Sequence, residues 1–497
     1  MRAADAWAIE RERIPSLELM ELAGQAIARA ALEPAPEGAI LIVCGKGNNS
    51  GDGLVAARLL RENRDRLGDK QVVVMLLADP AELSPDATAN LKRLPGDPPH
   101  AFDAGLIAQA GVIVDAMLGT GASGAPGGVL AEAVTAINRR SSVARVIAVD
   151  NPTGVDASTG QVAGDAVFAE LTISLHAPKV GQFVAPGSFH CGEVRVADIG
   201  IPPESFEGAN VAPAAGTIGP RVLRLAPRRD DASSKFSSGV LGVVGGSTGL
   251  TGAPCMSAMA AQRTGAGYVT VYVPSSLNLV FEQRLLEAMS VPLDDEDGAI
   301  LEGALDTLIE RSERCDALVV GPGIGRAAGT GRLVASLLAG SDKPALLDAD
   351  GLYPFSGAVE SLRREAPLLI TPHTGELARL LGVSSDDVEG ARLERAQEAA
   401  ERSGAVVILK GSDTVVAAPG QSPLINTLKA PGLATAGTGD VLSGIAGAYL
   451  AMGLGAREAA CAAVYAHALA GREASERRGA DHMIASDVIS LLPAVLA

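Results

Sequence analysis

Apolar runs that end in glycine- or aspartate-bearing loops recur along this chain, and they constrain its fold more than any other feature. Strands are predicted at residues 39–44, 71–77, 111–114, 145–149, 239–244, 268–273, 317–320, 345–347, 368–370 and 406–409. Most of these runs lack polar alternation, which is typical of strands buried on both faces. Helical spacing is found at 16–32, 54–61, 252–264, 328–338, 374–381 and 386–402. The alternation of strands and helices predicts an α/β fold with largely parallel sheets.

Three successive loops of the first half follow such strands and carry an aspartate. They lie at Gly45–Gly53, Asp115–Gly121 and Asp150–Asp156. Each loop alone is typical of an ordinary turn, because aspartate and glycine favour turns. The carboxyl ends of strands in an open α/β sheet face one crevice, so three converging loops favour a ligand site. The asparagines Asn48 and Asn49 suit a ligand or a monovalent cation as readily as a turn.

A second glycine-rich stretch, Gly437-Thr438-Gly439-Asp440, opens a helix near the C-terminus. The free N–H groups and positive dipole end of a helix N-terminus bind anions. Asp440 at this position is a candidate proton acceptor or donor beside the anion. A plainly capped helix explains Gly-Thr-Gly-Asp about as well, since aspartate is a good N-cap.

The length, net charge and cysteine pattern of the chain limit its domain organisation and its classes of partner. A chain of 497 residues is expected to form two or three domains. Its net charge of −17 argues against nucleic-acid and anionic-membrane partners, although a glycine-rich helix start still binds phosphorylated small molecules. The five cysteines are scattered without metal-type spacing, which predicts buried reduced thiols. No signal peptide and no membrane span are expected, and the predicted location is cytoplasmic.

The first part of the chain carries a series of ordered motifs. They are Met20-Glu21-x-Ala23-Gly24, Asn48-Asn49-x-Gly51-Asp52, Asp115-x-x-x-Gly119-Thr120-Gly121, Asp150-x-Pro152-Thr153-Gly154 and Ala177-Pro178-Lys179-x-Gly181. Over roughly residues 1–205 the chain thereby resembles the YjeF N-terminal domain, the epimerase for hydrated NADH and NADPH. The resemblance implies a Rossmann-like three-layer α/β/α sandwich.

This resemblance also implies the site residues. Asp150 would contact the reacting ring as candidate acid/base, and K⁺ would be bound by Asn49, Asp115 and Thr153. The hydrated nucleotide would be lined by Asn48, Asn49, Ser50, Gly51, Asp52, Gly119, Thr120, Gly121, Ala122, Ser123, Gly124, Ala125 and Asp150. Oxygen-only ligands suit a hard cation. Ser50 and Thr153 depart from the family's usual glycine and serine. Lys179 is a weaker catalytic candidate, and a surface lysine explains it equally well.

A segment rich in proline, glycine and alanine separates the two halves at residues 202–220. This composition over so short a segment predicts a compact linker rather than a flexible tether. We predict an epimerase domain at 1–208, a linker at 209–220 and a second domain at 221–497. No convincing repeat relates the halves.

Polar residues again follow the strands of the second half. His373 follows the run at 368–370, and Lys410 follows the run at 406–409. A lone turn histidine is usually satisfied by its own surroundings, but beside Thr-Pro and Gly-Glu a ligand contact is an equal alternative. Lys410 suits a nucleotide phosphate if it points into the crevice, and otherwise only ends the strand.

These residues, with Tyr465-x-His467 and Ala485-Ser486-Asp487, make residues 221–497 resemble the dehydratase for hydrated NADH and NADPH, which has a ribokinase-like α/β/α fold. By resemblance, Asp440 is catalytic and ADP, with Mg²⁺, is the co-substrate. The hydrated dinucleotide would be lined by Ala253, Gly323, His373 and Asp440, and the adenine nucleotide by Lys410, Gly411, Ser412, Asp413, Thr414 and Gly439. Ser234-Lys235-Phe236, Leu433 and Ala436 depart from the usual residues.

The two resemblances together predict a bifunctional repair enzyme. The first domain would interconvert the R and S hydrates, and the second would dehydrate the S form at the expense of ADP. A homo-oligomer is expected. Two rivals stay open: a C-terminal small-molecule or vitamin kinase, and an N-terminal module that only binds a nucleotide or a protein.

Overall fold

The computed structural model describes residues 2–67 and 70–497. The chain divides into two compact units, Met1–Ala214 and Ala215–Ala497, called here the N-terminal and C-terminal units. Each unit is built on its own central sheet. Among the described residues, no helix combines the length and the apolar character needed to cross a bilayer.

The N-terminal unit has a six-stranded parallel sheet in the order β2-β1-β3-β4-β5-β6. Its strands are β1 Ala39–Cys44, β2 Val72–Leu76, β3 Ala110–Ala116, β4 Arg145–Val149, β5 Leu171–Leu175 and β6 Glu193–Ala197. Its helices are α1 Arg2–Glu10, α2 Ser16–Ala31, α3 Asn48–Glu62, α4 Arg64–Leu67, α5 Pro85–Lys92, α6 Ala104–Gln109, α7 Val129–Asn138 and α8 Ser205–Gly208.

Alternate residues of β1 enter two different cores. Ile40 and Ile42 pack in the core that contains residues of α2 and α3, whereas Leu41 and Val43 pack in the core that contains residues of α6 and α7. Successive side chains of a strand point to opposite faces, so a continuous apolar run supplies both cores. The predicted three-layer α/β/α sandwich is confirmed.

The C-terminal unit has a ten-stranded sheet in the order β10-β9-β8-β13-β14-β15-β16-β17-β18-β7 and a small hairpin, β11–β12. The strands are β7 Gly216–Ile218, β8 Val240–Val244, β9 Tyr268–Pro274, β10 Met289–Leu293, β11 Asp295–Glu296, β12 Ala299–Ile300, β13 Ala317–Val320, β14 Ala345–Leu347, β15 Leu368–Ile370, β16 Val406–Leu409, β17 Val415–Ala418 and β18 Gln421–Asn426. All pairings in the large sheet are parallel except β16–β17 and β17–β18.

Helices cover both faces of this sheet as well. They are α9 Gly252–Thr264, α10 Asn278–Arg284, α11 Leu305–Ser312, α12 Ala328–Gly340, α13 Thr374–Leu381, α14 Ser385–Glu389, α15 Arg392–Ser403, α16 Thr438–Ala451, α17 Ala456–Arg478 and α18 Ala485–Leu496. One core contains residues of α9, α16, α17 and α18, and the other contains residues of α11, α12, α13 and α15.

Several local predictions need correction. The loop predicted at Gly45–Gly53 is shorter, because α3 begins at Asn48 and takes the Asn-Asn-Ser-Gly-Asp segment into its first turn. The helix predicted at 386–402 is two helices, α14 and α15, interrupted at Gly390 and Ala391. Within the predicted linker, Gly216–Ile218 forms the sheet-edge strand β7. The five cysteines are buried and free, as predicted.

Candidate functional site

The N-terminal unit has a cavity of about 610 Å³ at the carboxyl ends of β1, β3, β4 and β5. We call it the N-terminal cavity. Eight of the predicted substrate residues line it: Asn48, Asn49, Asp52, Gly119, Thr120, Gly121, Ala122 and Asp150. They come from the first turn of α3 and from the loops after β3 and β4. The parallel sheet brings them together because the carboxyl ends of its strands meet at one edge.

The other predicted residues of this group lie outside the lining. Ser50 is fully buried, and its hydroxyl donates to the carbonyl of Ala116 at 3.2 Å. A Cβ on Gly51 would lie 2.5 Å from the sulfur of Met20, so this glycine lets α2 and α3 approach closely. Ser123, Gly124 and Ala125 are exposed and do not line the cavity.

Asp150 and Lys179 form a buried ion pair at the wall of this cavity. The Lys179 ammonium also donates to the hydroxyl of Ser174 at 3.1 Å and to the carbonyl of Leu175 at 2.8 Å. The other carboxylate oxygen of Asp150 accepts from the N–H of Thr120 at 3.3 Å. The alternative that Lys179 is a surface lysine is therefore wrong.

The backbone of Asp150 is held in an uncommon conformation. Its φ is 63°, which is rare for a residue other than glycine. Its carbonyl accepts from the side-chain amide of Gln182 at 2.7 Å, and its own N–H donates to the carbonyl of Ile173 at 2.8 Å. These bonds fix the direction in which the carboxylate points. Such over-determined conformations cluster at functional sites.

Further carboxyl groups make the cavity acidic. Asp5 and Asp86 also line it, although the motifs do not contain them. Burial, and then the nearby carboxylates of Asp150, Asp5 and Asp86, raise the pKa of Asp52 well above its ordinary value. Lys179 is the cation that partly offsets this effect.

Two of the three residues predicted to bind K⁺, Asp115 and Thr153, contact each other, and Asn49 lies beside Gly119 in the loop after β3. Asp115 is fully buried and accepts from the hydroxyl of Thr153 at 2.7 Å and from its N–H at 2.8 Å. Burial raises the pKa of Asp115 to about 6, although these hydrogen bonds lower it. Among the described residues Asp115 has no ion-pair partner, and the buried side-chain amide nitrogen of Asn49 has no hydrogen-bond partner. A buried carboxylate oxygen beside a hydroxyl oxygen fits a hard monovalent cation.

In the C-terminal unit, a buried carboxylate positions Lys410. The Lys410 ammonium lies 2.8 Å from a carboxylate oxygen of Asp348 and 3.9 Å from Glu376. Asp348 also accepts from the hydroxyls of Thr371 at 2.7 Å and Ser443 at 2.6 Å. Burial would raise the pKa of Asp348, but Lys410 and the two hydroxyls hold it below its ordinary value.

The glycine stretch at the start of α16 meets this lysine. Gly437 has a φ of 88°, and a Cβ there would lie 2.7 Å from the sulfur of Met256 on α9. A Cβ on Gly439 would lie 3.6 Å from the Lys410 ammonium. The cation therefore lies beside the N-terminal turn of α16, where free N–H groups attract anions.

Asp440 occupies the first turn of α16 beside these groups. Its carbonyl accepts from the hydroxyl of Ser257 at 2.9 Å, which ties α16 to α9. Burial, and then repulsion from Asp348, raise the pKa of the Asp440 carboxyl to about 7, against the attraction of Lys410. A carboxyl with this pKa can accept and return a proton near neutral pH. We call Asp348, Lys410, Gly439 and Asp440 the C-terminal site.

The predicted dinucleotide residues of this unit follow neighbouring strands. Gly323 has a φ of 61°, and a Cβ there would lie 3.2 Å from the Cβ of Ala253. His373 begins α13 as its N-cap, and its Nδ1 accepts from the N–H of Gly375 at 3.0 Å. Its side chain is 57% exposed. His373 thus has a local capping partner and still presents a ring edge that a ligand can contact.

Two side chains of the segment after Lys410, those of Asp413 and Thr414, bond to other groups of the protein. Asp413 is buried against Arg392, with 3.0 Å between the guanidinium and the carboxylate. The hydroxyl of Thr414 donates to the carbonyl of Gly411 at 2.8 Å. Gly411 and Ser412 are exposed, so their backbone is accessible to a nucleotide. The carboxylate of Asp413 stabilises this turn.

Sequence reasoning missed Asp348 as a site residue and gave Lys179 little weight. Asp348 directly follows β14, so its place at a strand end was an available signal. The ion pair of Lys179 with Asp150 joins residues 29 positions apart, and no local pattern indicates it. His467 on α17 is buried, and burial lowers the pKa of its ring to about 4, so it is neutral near pH 7.

The C-terminal unit carries a lysine and an acid at a glycine-rich helix start on a largely parallel sheet, and its fold is ribokinase-like. A ribokinase-like superfamily protein of Enterococcus faecalis shares this fold, with a TM-score of 0.50 and 24% identity over 57% of this chain and 96% of that chain. The family model described as NAD(P)H-hydrate dehydratase matches residues 241–494, and that of the YjeF-related protein N-terminus matches residues 16–181.

Two full-length relatives carry both parts. The bifunctional NAD(P)H-hydrate repair enzyme of Salinibacter ruber is 39% identical over 100% of this chain and 95% of its own length. That of Moorella thermoacetica is 38% identical over the same shares. The chain belongs to the family of bifunctional NAD(P)H-hydrate repair enzymes.

Proposed function

We propose that the chain repairs hydrated NADH and NADPH in two reactions. The N-terminal unit interconverts the R and S hydrates, and the C-terminal unit converts the S hydrate to NADH or NADPH while ADP is split to AMP and phosphate. The observation that carries this proposal is Asp440, whose carboxyl lies beside a lysine and a helix N-terminus in a chain of this family.

Dehydration needs a better leaving group than hydroxide. The ring hydroxyl at C6 attacks the terminal phosphorus of ADP, and the bond from that phosphorus to the bridging oxygen breaks to release AMP. Asp440 accepts the hydroxyl proton. Lys410 and the N–H groups at Gly439 stabilise the charge on the transferring phosphoryl group. Phosphate then leaves with the C–O bonding electrons, and loss of a ring proton restores the dihydronicotinamide ring of NADH or NADPH.

Mg²⁺ would neutralise charge on the nucleotide phosphates. Within the described ranges, no three His, Cys, Asp or Glu side chains are placed to hold a metal ion. We therefore assign Mg²⁺ to the nucleotide complex rather than to a protein site.

One assay tests dehydration. Recovery of NADH absorbance from the S hydrate is followed with ADP, and then with ATP, for the wild type and for Asp440→Asn of confirmed fold. Recovery in the wild type and its loss in the variant support the proposal. Undiminished recovery in Asp440→Asn contradicts the role of Asp440, and a stable phosphoester product would favour the rival kinase function.

For epimerisation, we propose Asp150 as the acid/base group, with Lys179 holding its carboxylate. The ion pair and the strained backbone of Asp150 at the cavity wall support this assignment. The wild type should consume racemic hydrate completely, whereas consumption by Asp150→Ala should stall when about half of the hydrate is used. Asp165→Ala, at an exposed aspartate of the same unit, is the matched control. Complete consumption by Asp150→Ala, faster than spontaneous epimerisation, would overturn the assignment.

K⁺ is proposed as the cation of the N-terminal unit, bound by Asn49, Asp115 and Thr153. It would neutralise the buried Asp115 carboxylate and order the loops around the cavity. Epimerisation should slow when K⁺ is replaced by Li⁺ and in Thr153→Val, while dehydration of pure S hydrate should not. Equal rates in both salts would contradict the site. A homo-oligomer and a cytoplasmic location stay predictions.

A further inference from the structure

An arginine beside the C-terminal site has no role in the reactions described so far. Arg326 follows the turn that contains Gly323 and Gly325 after β13, and Asp350 and Tyr353 follow the neighbouring strand β14. Strands β13 and β14 are parallel, so both segments lie at the same sheet edge as Asp348. Arg326 is thus placed three residues from a predicted dinucleotide contact.

Two contacts hold the Arg326 side chain. Its Nε donates to a carboxylate oxygen of Asp350 at 2.6 Å, and its guanidinium carbon lies 5.2 Å from the centre of the Tyr353 ring. The side chain is nevertheless 51% exposed. In the described part of the chain, its two terminal amino groups have no hydrogen-bond partner. The guanidinium is therefore oriented and still has donors to offer.

Arg326 stays positively charged and has donors for an anionic ligand, although two carboxylates lie near it. Asp350 and Glu376 both act on Arg326 and raise its pKa. Lys410 is paired with the buried Asp348 and is assigned to the transferring phosphoryl group, whereas the terminal amino groups of Arg326 have no partner among the described residues. A guanidinium binds phosphate oxygens through two parallel N–H groups, which a lysine cannot do.

We propose that Arg326 binds a phosphate of the hydrated dinucleotide during dehydration, either the pyrophosphate or the 2′-phosphate of the NADPH form. This inference rests on the proposed function. Because the arginine follows the turn of Gly323 rather than the segment after Lys410, it acts on the dinucleotide and not on ADP. Asp350 and Tyr353 are the positioning residues that orient its fork.

Steady-state kinetics of Arg326→Gln test the proposal, with the S hydrates of NADH and NADPH measured separately at saturating ADP. The KM for hydrate should rise on the order of 10- to 100-fold, as expected for loss of a charged hydrogen-bonding group. The kcat and the KM for ADP should stay within about twofold of the wild type. Arg326→Lys should give a smaller rise, because it keeps the charge and loses the fork.

Either of two results with the NADH and NADPH hydrates would support the proposal, and each would identify the phosphate that Arg326 binds. An equal rise for both indicates the pyrophosphate, whereas a rise for the NADPH form alone indicates the 2′-phosphate. Arg332→Gln is the matched control, since Arg332 lies on α12, is 61% exposed and pairs with Glu302. An unchanged KM for both hydrates, or a rise in the KM for ADP alone, overturns the inference. Failure of the wild type to dehydrate either hydrate would instead refute the proposed function.

Discussion

Asp440→Asn should stabilise the C-terminal unit at alkaline pH while it abolishes dehydration. In the folded protein, burial and then the neighbouring Asp348 raise the pKa of Asp440 from 3.8 to about 7, with Lys410 opposing. Ionising this carboxyl therefore costs free energy in the folded protein that it does not cost in the unfolded chain. Asparagine has nearly the shape of the protonated carboxyl and never ionises, so it removes this cost.

The size of the expected stabilisation follows from the rise in the pKa of Asp440. A rise of about three pKa units corresponds to about 4 kcal/mol, at about 1.4 kcal/mol per unit. The folded state keeps the proton that the unfolded chain loses, so the cost is absent below about pH 4, grows between pH 4 and 7, and is complete above pH 7. For a unit of this size, that corresponds to a rise in Tm of roughly 8 °C at pH 8.

Thermal unfolding of both proteins without ligand, measured between pH 5 and pH 8.5, checks this prediction. The difference in Tm between Asp440→Asn and the wild type should widen with pH and then level off above pH 7. Asp306→Asn, at an exposed aspartate on α11, should show no such widening. The reasoning is refuted if the difference does not change with pH, or if Asp440→Asn still dehydrates the hydrate.

Three further substitutions have definite expected outcomes. Lys410→Met should lower the free energy of unfolding by about 3–5 kcal/mol in urea titrations, because it leaves the buried Asp348 carboxylate without its cation; an unchanged midpoint would contradict this. Lys179→Met should stall consumption of racemic hydrate near half, and its rate on pure S hydrate should match the wild type. Gly437→Ala should raise the KM for ADP and lower the unfolding midpoint, since φ is 88° and its Cβ would lie 2.7 Å from the sulfur of Met256; wild-type values for both would show that the turn tolerates a side chain.

The interior strands could be predicted from sequence because they are buried on both faces. The runs at 39–44, 145–149 and 317–320 coincide with β1, β4 and β13. Apart from Arg145 at the start of β4, each is a continuous apolar run followed by glycine or aspartate, so its pattern does not depend on distant partners. The start of α16 after Gly437 could also be predicted from the local sequence, because a glycine turn is followed there by apolar residues at helical spacing.

Edge strands and site assembly depended on tertiary contacts. β6 and β18 lie at or near sheet edges and contain exposed polar residues, so their sequences do not resemble buried strands. β7 forms from the expected linker only because β18 offers it a parallel partner. Pairing with a distant strand, rather than local propensity, determines such segments.

The sequence alone determined the two α/β sheets, the polar loops at their strand ends and the helix start that carries Asp440. Tertiary contacts bury Lys179 against Asp150 and place Asp348 where it holds Lys410 beside that helix. These pairs join residues 29 and 62 positions apart, and their energies arise from burial, which local sequence does not encode. The sequence therefore specified which groups reach the sites, and folding determined their partners and their pKa values.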